Sequence, residues 1–330
     1  DKVVNNLRRL RDGGNTVLVV EHDATVIKNS DYIVEVGPGG GKKGGEIIAQ
    51  GTVEEIFKSP RSLTAPYLNK NNILDLPGKR YSKGSIEICN AHRNNLKNIT
   101  VSIPLGVLVA LTGVSGSGKS SFVEEIMVQH GEKVVLIDQS SVGNNKRGCI
   151  GTYTGIFDRI RKIFAKLHRV SESLFSFNSH GGCDDCHGLG YVDMEMNFLG
   201  DVKIKCEICN GMRYKSKVLR YKFKGKNISE VLQMTASEVR DFFDDSDVSS
   251  NANLLIEVGL DYIEIGQGLD KLSGGEAQRL KLASRLQKKG EFYILDEPTS
   301  GLHFSDINKL LNLINRLINN GNTVLVIEHN

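Results

Sequence analysis

Residues 113–120 read Gly-Val-Ser-Gly-Ser-Gly-Lys-Ser, between an apolar run, Val107-Leu-Val-Ala-Leu-Thr112, and a stretch from about 119 to 129 with helical spacing. A glycine-rich turn can wrap an anion when a strand delivers the chain to it and a helix leaves it. The helix then aims its N-terminal N–H groups and its dipole at the same charge. The loop therefore commits this part of the chain to a parallel α/β core. Gly113, Gly116 and Gly118 let the backbone close round a phosphate, with Ser115 and Ser121 beside it. Lys119 reaches the β- and γ-phosphates of a nucleotide, and the Ser120 hydroxyl is placed to ligate Mg²⁺.

Three further strings follow in order. The strand Val134 to Asp138 leads into Gln139, expected to contact metal or lytic water. Leu272–Arg279 reads LSGGEAQR, and Phe292-Tyr-Ile-Leu ends in Asp296-Glu297-Pro298. Ser273, Gly274 and Gly275 offer a hydroxyl and N–H groups at a helix start, an anion-binding arrangement. Asp296 at a strand end can hold a Mg²⁺ shell, and Glu297 beside it can polarise a water as general base. His329 ends the last strand and is expected to hydrogen-bond the γ-phosphate. In this order, the strings resemble an ABC-type ATPase. One feature of that pattern is missing: no Phe, Tyr or Trp lies between Gly84 and Gly113 to stack on adenine, leaving His92 or Arg93 as substitutes.

The chain has 330 residues, enough for two sizeable cores, and a formal net charge of only +3, so composition demands no polyanion partner. No apolar run approaches a membrane span and no signal-peptide pattern opens the chain, which points to the cytoplasm. Four of the six cysteines form two pairs, Cys183/Cys186 and Cys206/Cys209. In a reducing compartment that spacing reads as a tetrahedral Zn²⁺ site, structural because all four positions are filled. Residues 155–169 are amphipathic, with Ile156, Ile160, Ile163, Phe164 and Leu167 on one face. Arg159, Lys162, Lys166 and Arg169 form a basic stripe, a candidate nucleic-acid contact.

Residues 9–22 (RLRDGGNTVLVVEH) and 316–329 (RLINNGNTVLVIEH) share ten of fourteen positions. Each copy reads as a helix end, a Gly-Asn turn, a buried strand and Glu-His. A spacing of about 300 residues means duplicated domains rather than a solenoid. The expected organisation is a C-terminal remnant of a first ABC half at 1–58 and a Pro-containing linker at 59–84. A second ABC core at 85–143 and 251–330 is interrupted by an insertion at 144–250, with the zinc module at 179–212. Thr52 is expected to cap a helix, with Glu55 completing a capping box.

An ABC core whose insertion carries four paired cysteines resembles the UvrA family. The resemblance rests on Gly44-Gly-Glu-Ile, Asn94-Asn-Leu-Lys-Asn-Ile, the 113–120 loop, Asp138-Gln-Ser, Thr152-Tyr-Thr-Gly, Phe175-Ser-Phe-Asn, Tyr262 to Gln267, and Asp296-Glu-Pro-Thr-Ser-Gly-Leu-His. It implies a tandem, dimerising ABC ATPase that binds ATP, Mg²⁺ and DNA, senses damage in nucleotide excision repair and loads a UvrB-like partner. By the same resemblance, the Ser273–Gly275 segment completes the ATP site of the other half, and this chain alone is expected to be weak or inactive in hydrolysis. The chain departs from the family pattern in a short Lys119–Gln139 segment and in the run from Gly143 to Gly151. Other readings are a UvrA-like paralogue that protects against DNA-binding drugs, and a soluble ABC protein whose zinc module binds protein.

Overall fold

The computed structural model describes residues 2–41, 44–68, 80–142, 147–194, 202–286, 288–300 and 302–328. They form two compact units, residues 1–139 with 285–330, and residues 140–284.

The first unit opens with α1 (Lys2–Asp12), α2 (Ala24–Lys28), the antiparallel pair β1 (Ile33–Gly37) and β2 (Glu46–Gly51), α3 (Val53–Lys58) and α4 (Ala65–Leu68). Thr52 caps α3 and Glu55 closes the capping box, as the sequence predicts. The antiparallel pair β3 (Ser85–Ala91) and β4 (Ile99–Pro104) leads into β5 (Leu108–Leu111), α5 (Lys119–His130) and β6 (Val134–Ile137). The unit closes with β11 (Phe292–Asp296), α12 (Phe304–Asn319) and β12 (Thr323–Ile327). Its main sheet is parallel throughout, in the order β5-β12-β11-β6. The two central strands read as unbroken apolar runs because helices or loops cover both their faces. Phe122, Val123 and Ile126 of α5 pack with Ile88, Ile103, Ile294 and Leu325 to form the core.

The two copies of the internal repeat have different fates. The second makes the end of α12 and the buried β12, where Leu325 is 1% exposed. The first supplies the end of α1 but no strand: residues 15–23 are irregular, with Leu18 at 91% and Val20 at 89% exposure. This corrects the expectation of a buried strand there. A parallel strand needs ladder partners, and no strand among the described residues pairs with this segment. The linker reading also changes: Ser62, Thr64, Ala65 and Leu68 are buried, and residues 69–79 lie outside the described residues.

The second unit contains α6 (Ile150–Tyr153), α7 (Ile156–His168), the antiparallel pairs β7 (Tyr191–Met194) with β8 (Val202–Lys205) and β9 (Lys222–Phe223) with β10 (Lys226–Asn227). The helices α8 (Ile228–Leu232), α9 (Ala236–Phe242), α10 (Ser246–Glu257) and α11 (Gly274–Ala283) follow. Residues 251–284, expected in the ATPase core, belong to this unit. The expected boundary at 250 falls inside α10, a helix that buries Val248, Ala252 and Leu255. The buried face of α7 is Ile156, Phe157, Ile160, Phe164 and Ala165, while Leu167 is 54% exposed. The face is rotated from the expected one because Phe157 stacks on Phe177 and Phe164 meets Phe175. No helix among the described residues is long and apolar enough to cross a membrane.

The repeat supplies a direct test. Leu325→Ala should cost about 2–5 kcal/mol in denaturant unfolding, the range for truncating a buried leucine. Its counterpart Leu18→Ala should stay within about 0.5 kcal/mol. Equal losses at the two positions would contradict the exposed placement of residues 15–23.

Candidate nucleotide site and cysteine cluster

The phosphate loop sits between β5 and α5. Gly113, Gly116 and Gly118 all have positive φ (150°, 78° and 102°), a region that costs other residues steric strain. A Cβ on Gly118 would also lie 2.8 Å from Asn95 Oδ1, and one on Gly113 the same distance from Ser117 Oγ. Lys119 folds back into the loop, donating to the carbonyls of Gly113 (2.7 Å) and Val114 (3.1 Å). The ammonium is thus held by the loop's own carbonyls. Ser115 and Ser120 are exposed. Ser121, grouped with them from the sequence, is instead buried, and its hydroxyl accepts from Asn94 Nδ2 at 2.9 Å. It braces the loop from beneath.

Asn94 and Asn95 are supports that motif reading left without a role. Asn95 Nδ2 donates to the Gly116 carbonyl at 3.0 Å. Behind them, Glu125 on α5 receives the backbone N–H groups of His92 (3.4 Å) and Arg93 (3.1 Å) through Oε1. Burial raises the Glu125 carboxyl, but these hydrogen bonds and that from Gln129 outweigh it and leave it below its ordinary value. The His92 ring is exposed, with Nδ1 2.8 Å from the Asn90 carbonyl.

Asp296 and Glu297 come at the end of β11, where Asp296 pairs in register with Ile327. The Glu297 N–H donates to the Ile327 carbonyl (3.0 Å), and Gln139 Nε2 donates to the Glu297 carbonyl (3.1 Å). The backbone of Glu297 has φ 44°, a left-handed conformation that costs a non-glycine residue of order 1–2 kcal/mol. The two hydrogen bonds, one on each side of the residue, hold it there. Just beyond, Thr299 donates from N–H (3.0 Å) and hydroxyl (2.7 Å) to Glu328. His329 lies outside the described residues.

In the second unit, Ser273 caps α11. Its hydroxyl accepts from the Glu276 N–H, Glu276 Oε2 accepts from the Ser273 N–H at 2.8 Å, and Tyr262 donates to Glu276 Oε1 at 2.7 Å. The Ser273-Gly274-Gly275 segment is therefore a rigid helix start built on a capping box.

The four cysteines converge. All are buried, and their sulfur atoms lie within 4.8 Å of one another. Each pair ends in the same turn: His187 (φ 49°) and Gly188 (80°) follow Cys186, and Asn210 (49°) and Gly211 (77°) follow Cys209. A Cβ on Gly188 would lie 1.9 Å from the Phe177 carbonyl oxygen, so that position has no room for a side chain. Cys186 Sγ and Cys209 Sγ are 3.6 Å apart. A tetrahedral ion with metal–sulfur bonds of about 2.3 Å separates its sulfurs by about 3.8 Å, so the donor set fits a metal ion. Burial raises the Cys186 thiol, yet the Gly190 N–H, 3.2 Å from its sulfur, and the neighbouring thiols more than offset that and leave it below its ordinary value.

Residues 96–300 match the family described as ABC transporter. The chain belongs to that family. All of it aligns with UvrABC system protein A of Lactiplantibacillus plantarum and of Thermus thermophilus, at 45% identity in each case, and it spans 38% of each of those proteins. A crystal structure of UvrA2 from Deinococcus radiodurans superposes with a TM-score of 0.94 at 40% identity, covering 99% of this chain and 44% of that one. The resemblance to UvrA thus extends over the insertion as well as the ABC core.

Within the ABC insertion, the basic stripe divides. Lys162, Lys166 and Arg169 are exposed. Arg159 is not a free cation: its guanidinium lies 2.9 Å from Asp245, the residue that caps α10, and 3.5 Å from Asp247. It ties α7 to α10, and this corrects its grouping with the other three.

Metal analysis of the purified chain should find about one equivalent of tightly bound metal. Cys206→Ser should lose it and expose the remaining thiols to a thiol reagent. Full metal retention in that variant would show that the cluster is not the binding site.

Proposed function

We propose that this chain is part of an ATP-hydrolysing, DNA-binding protein of UvrA type that recognises damage in nucleotide excision repair, acting in the cytoplasm. The observation that carries this reading is the whole-chain identity to proteins named UvrABC system protein A, which spans the nucleotide loop and the cysteine cluster together. At the ATP site, the 113–118 loop and the N-terminus of α5 cradle the phosphates, and Lys119 exchanges its loop carbonyls for phosphate oxygens. Ser120 and Asp296 hold Mg²⁺, which supplies charge neutralisation on the phosphates. Glu297 draws the proton from the attacking water, and Gln139, which holds the backbone of Glu297, contacts the metal or the water. His329 completes the γ-phosphate contacts. Ser273, Gly274 and Gly275 serve the ATP of another nucleotide-binding half, so the working enzyme has two composite sites.

Zn²⁺ is the metal that four buried thiolates select, and its role is structural because no ligand position stays open. Lys162, Lys166 and Arg169 contact DNA phosphates. A UvrB-like protein and a second copy of the full-length polypeptide are the expected partners.

Lys119→Ala should abolish nucleotide binding, whereas Glu297→Gln should bind ATP normally and turn over about 10²-fold or more slowly. Normal turnover by Glu297→Gln in the full-length polypeptide would remove it as the base. For DNA, replacing Lys162 and Lys166 together by Ala should weaken duplex binding uniformly across sequences. The slope of log K against log salt should fall by about two, one for each lost phosphate contact. An unchanged slope would place the DNA elsewhere.

A further inference from the structure

His303 lies between Glu297 and the body of α12, half-buried, with Nε2 3.1 Å from Thr64 Oγ1. Thr64 comes from the β1–α4 segment, far away in sequence. Its hydroxyl is also 2.9 Å from Oε1 of the buried Glu35. That carboxylate further accepts from Ser62 Oγ (2.6 Å) and from the N–H groups of Leu63 (2.8 Å) and Thr64 (2.9 Å). An ionised carboxylate only accepts, and a threonine hydroxyl has one proton. The proton therefore goes to Glu35, and the hydroxyl oxygen must accept from His303. This assigns the ring proton to Nε2. Tyr67 closes over the ring edge-on, at 6.3 Å and 82°. Burial holds the imidazole below its ordinary pKa, with His22 pushing the same way and Asp306 and Glu35 opposing.

The loop that carries Glu297 is thus fastened at successive points. Glu297 is held by Ile327 and Gln139, Thr299 by Glu328, and His303 by Thr64. The first two fastenings lie within the sheet-bearing core. The third reaches Thr64, in the segment expected to be the linker, and through it Glu35, in the expected remnant of the preceding ABC half. Left-handed φ at Glu297 persists only where its surroundings over-determine it, and the Thr64–His303 bond adds to that determination.

We propose that Thr64, oriented by Glu35, and His303 are positioning residues for the Lys119 site: their hydrogen bond sets the loop that presents Glu297, so the tail of one ABC half tunes hydrolysis in the next. This rests on the ATPase reading above.

The test uses the full-length polypeptide with four substitutions, Thr64→Val, Thr64→Ser, His303→Ala and His303→Gln. Thr64→Val and His303→Ala should lower kcat for Mg-ATP about tenfold, one lost hydrogen bond's worth of positioning. Affinity for a fluorescent ATP analogue should stay within about twofold of wild type. Thr64→Ser keeps the hydroxyl, and His303→Gln keeps a donor in the Nε2 position; both should restore most of the rate. Nitrogen NMR of labelled histidine should show His303 as the Nε2–H tautomer in the wild type and a changed signal in Thr64→Val. An unchanged kcat in Thr64→Val, with an active wild type, overturns the proposal and leaves the ATPase reading intact. A rate lost in parallel with nucleotide affinity, or not restored by serine, marks a merely structural contact and also overturns it. A wild type that binds ATP but never hydrolyses it ends both.

Discussion

The parallel pairing of β11 with β12 is the constraint on which the candidate ATP site depends. It sets Asp296 beside Ile327, and the next ladder bond, from the Glu297 N–H to Ile327, turns the chain into its left-handed conformation. The same two strands hold β5 on one side and β6 on the other. The phosphate loop after β5 and Gln139 after β6 therefore emerge at the same carboxyl-terminal edge as Glu297. Ligands bind at that edge in open α/β sheets because helix N-termini and loop N–H groups collect there. Slipping β12 by one residue would bring polar groups into the core and move the Glu297 turn away from its carbonyl partner.

The same peptide pattern, Thr-Val-Leu-Val, is a central strand at residues 323–326 and an exposed irregular segment at 16–19. Its local propensity is identical in both places, so propensity does not decide the outcome. What differs is the ladder. At 323–327 the backbone groups find β5 and β11, and the apolar side chains find α5 and α12. At 16–21 the described residues provide no strand to pair with. Strand formation here is a tertiary event, and sequence periodicity alone could identify the repeat without fixing its state.

Features with local causes were legible in the sequence. The glycine loop, the capping box at Thr52, the helix start at Ser273 and the spacing within each cysteine pair all depend on residues within a few positions of one another. Features with non-local causes were not. Ser121 looks like part of the phosphate loop until Asn94 is seen to occupy its hydroxyl, and Arg159 looks like one of a basic stripe until Asp245 is found beside it. Leu167 falls on the apolar spacing of α7, yet the face is set by where Phe177 and Phe175 stand. The Glu35–Thr64–His303 chain joins residues with no shared period or motif, so nothing in a linear reading could bring them together.

The position of Lys119 completes the physical picture of the loop. A lysine ammonium has three donors and no acceptor, and here it is already held by two loop carbonyls. On the proposed reading, binding a phosphate exchanges these neutral acceptors for charged ones, which form shorter and stronger hydrogen bonds. The loop keeps its curvature in either case, because Gly113 and Gly118 lock it through backbone conformations and close contacts that a side chain would break. Little reorganisation is left for the nucleotide to drive at this point. The other side of the site is the strained turn at Glu297, held by hydrogen bonds to Ile327 and from Gln139. On the ATPase reading proposed above, control of hydrolysis as distinct from binding falls on that turn.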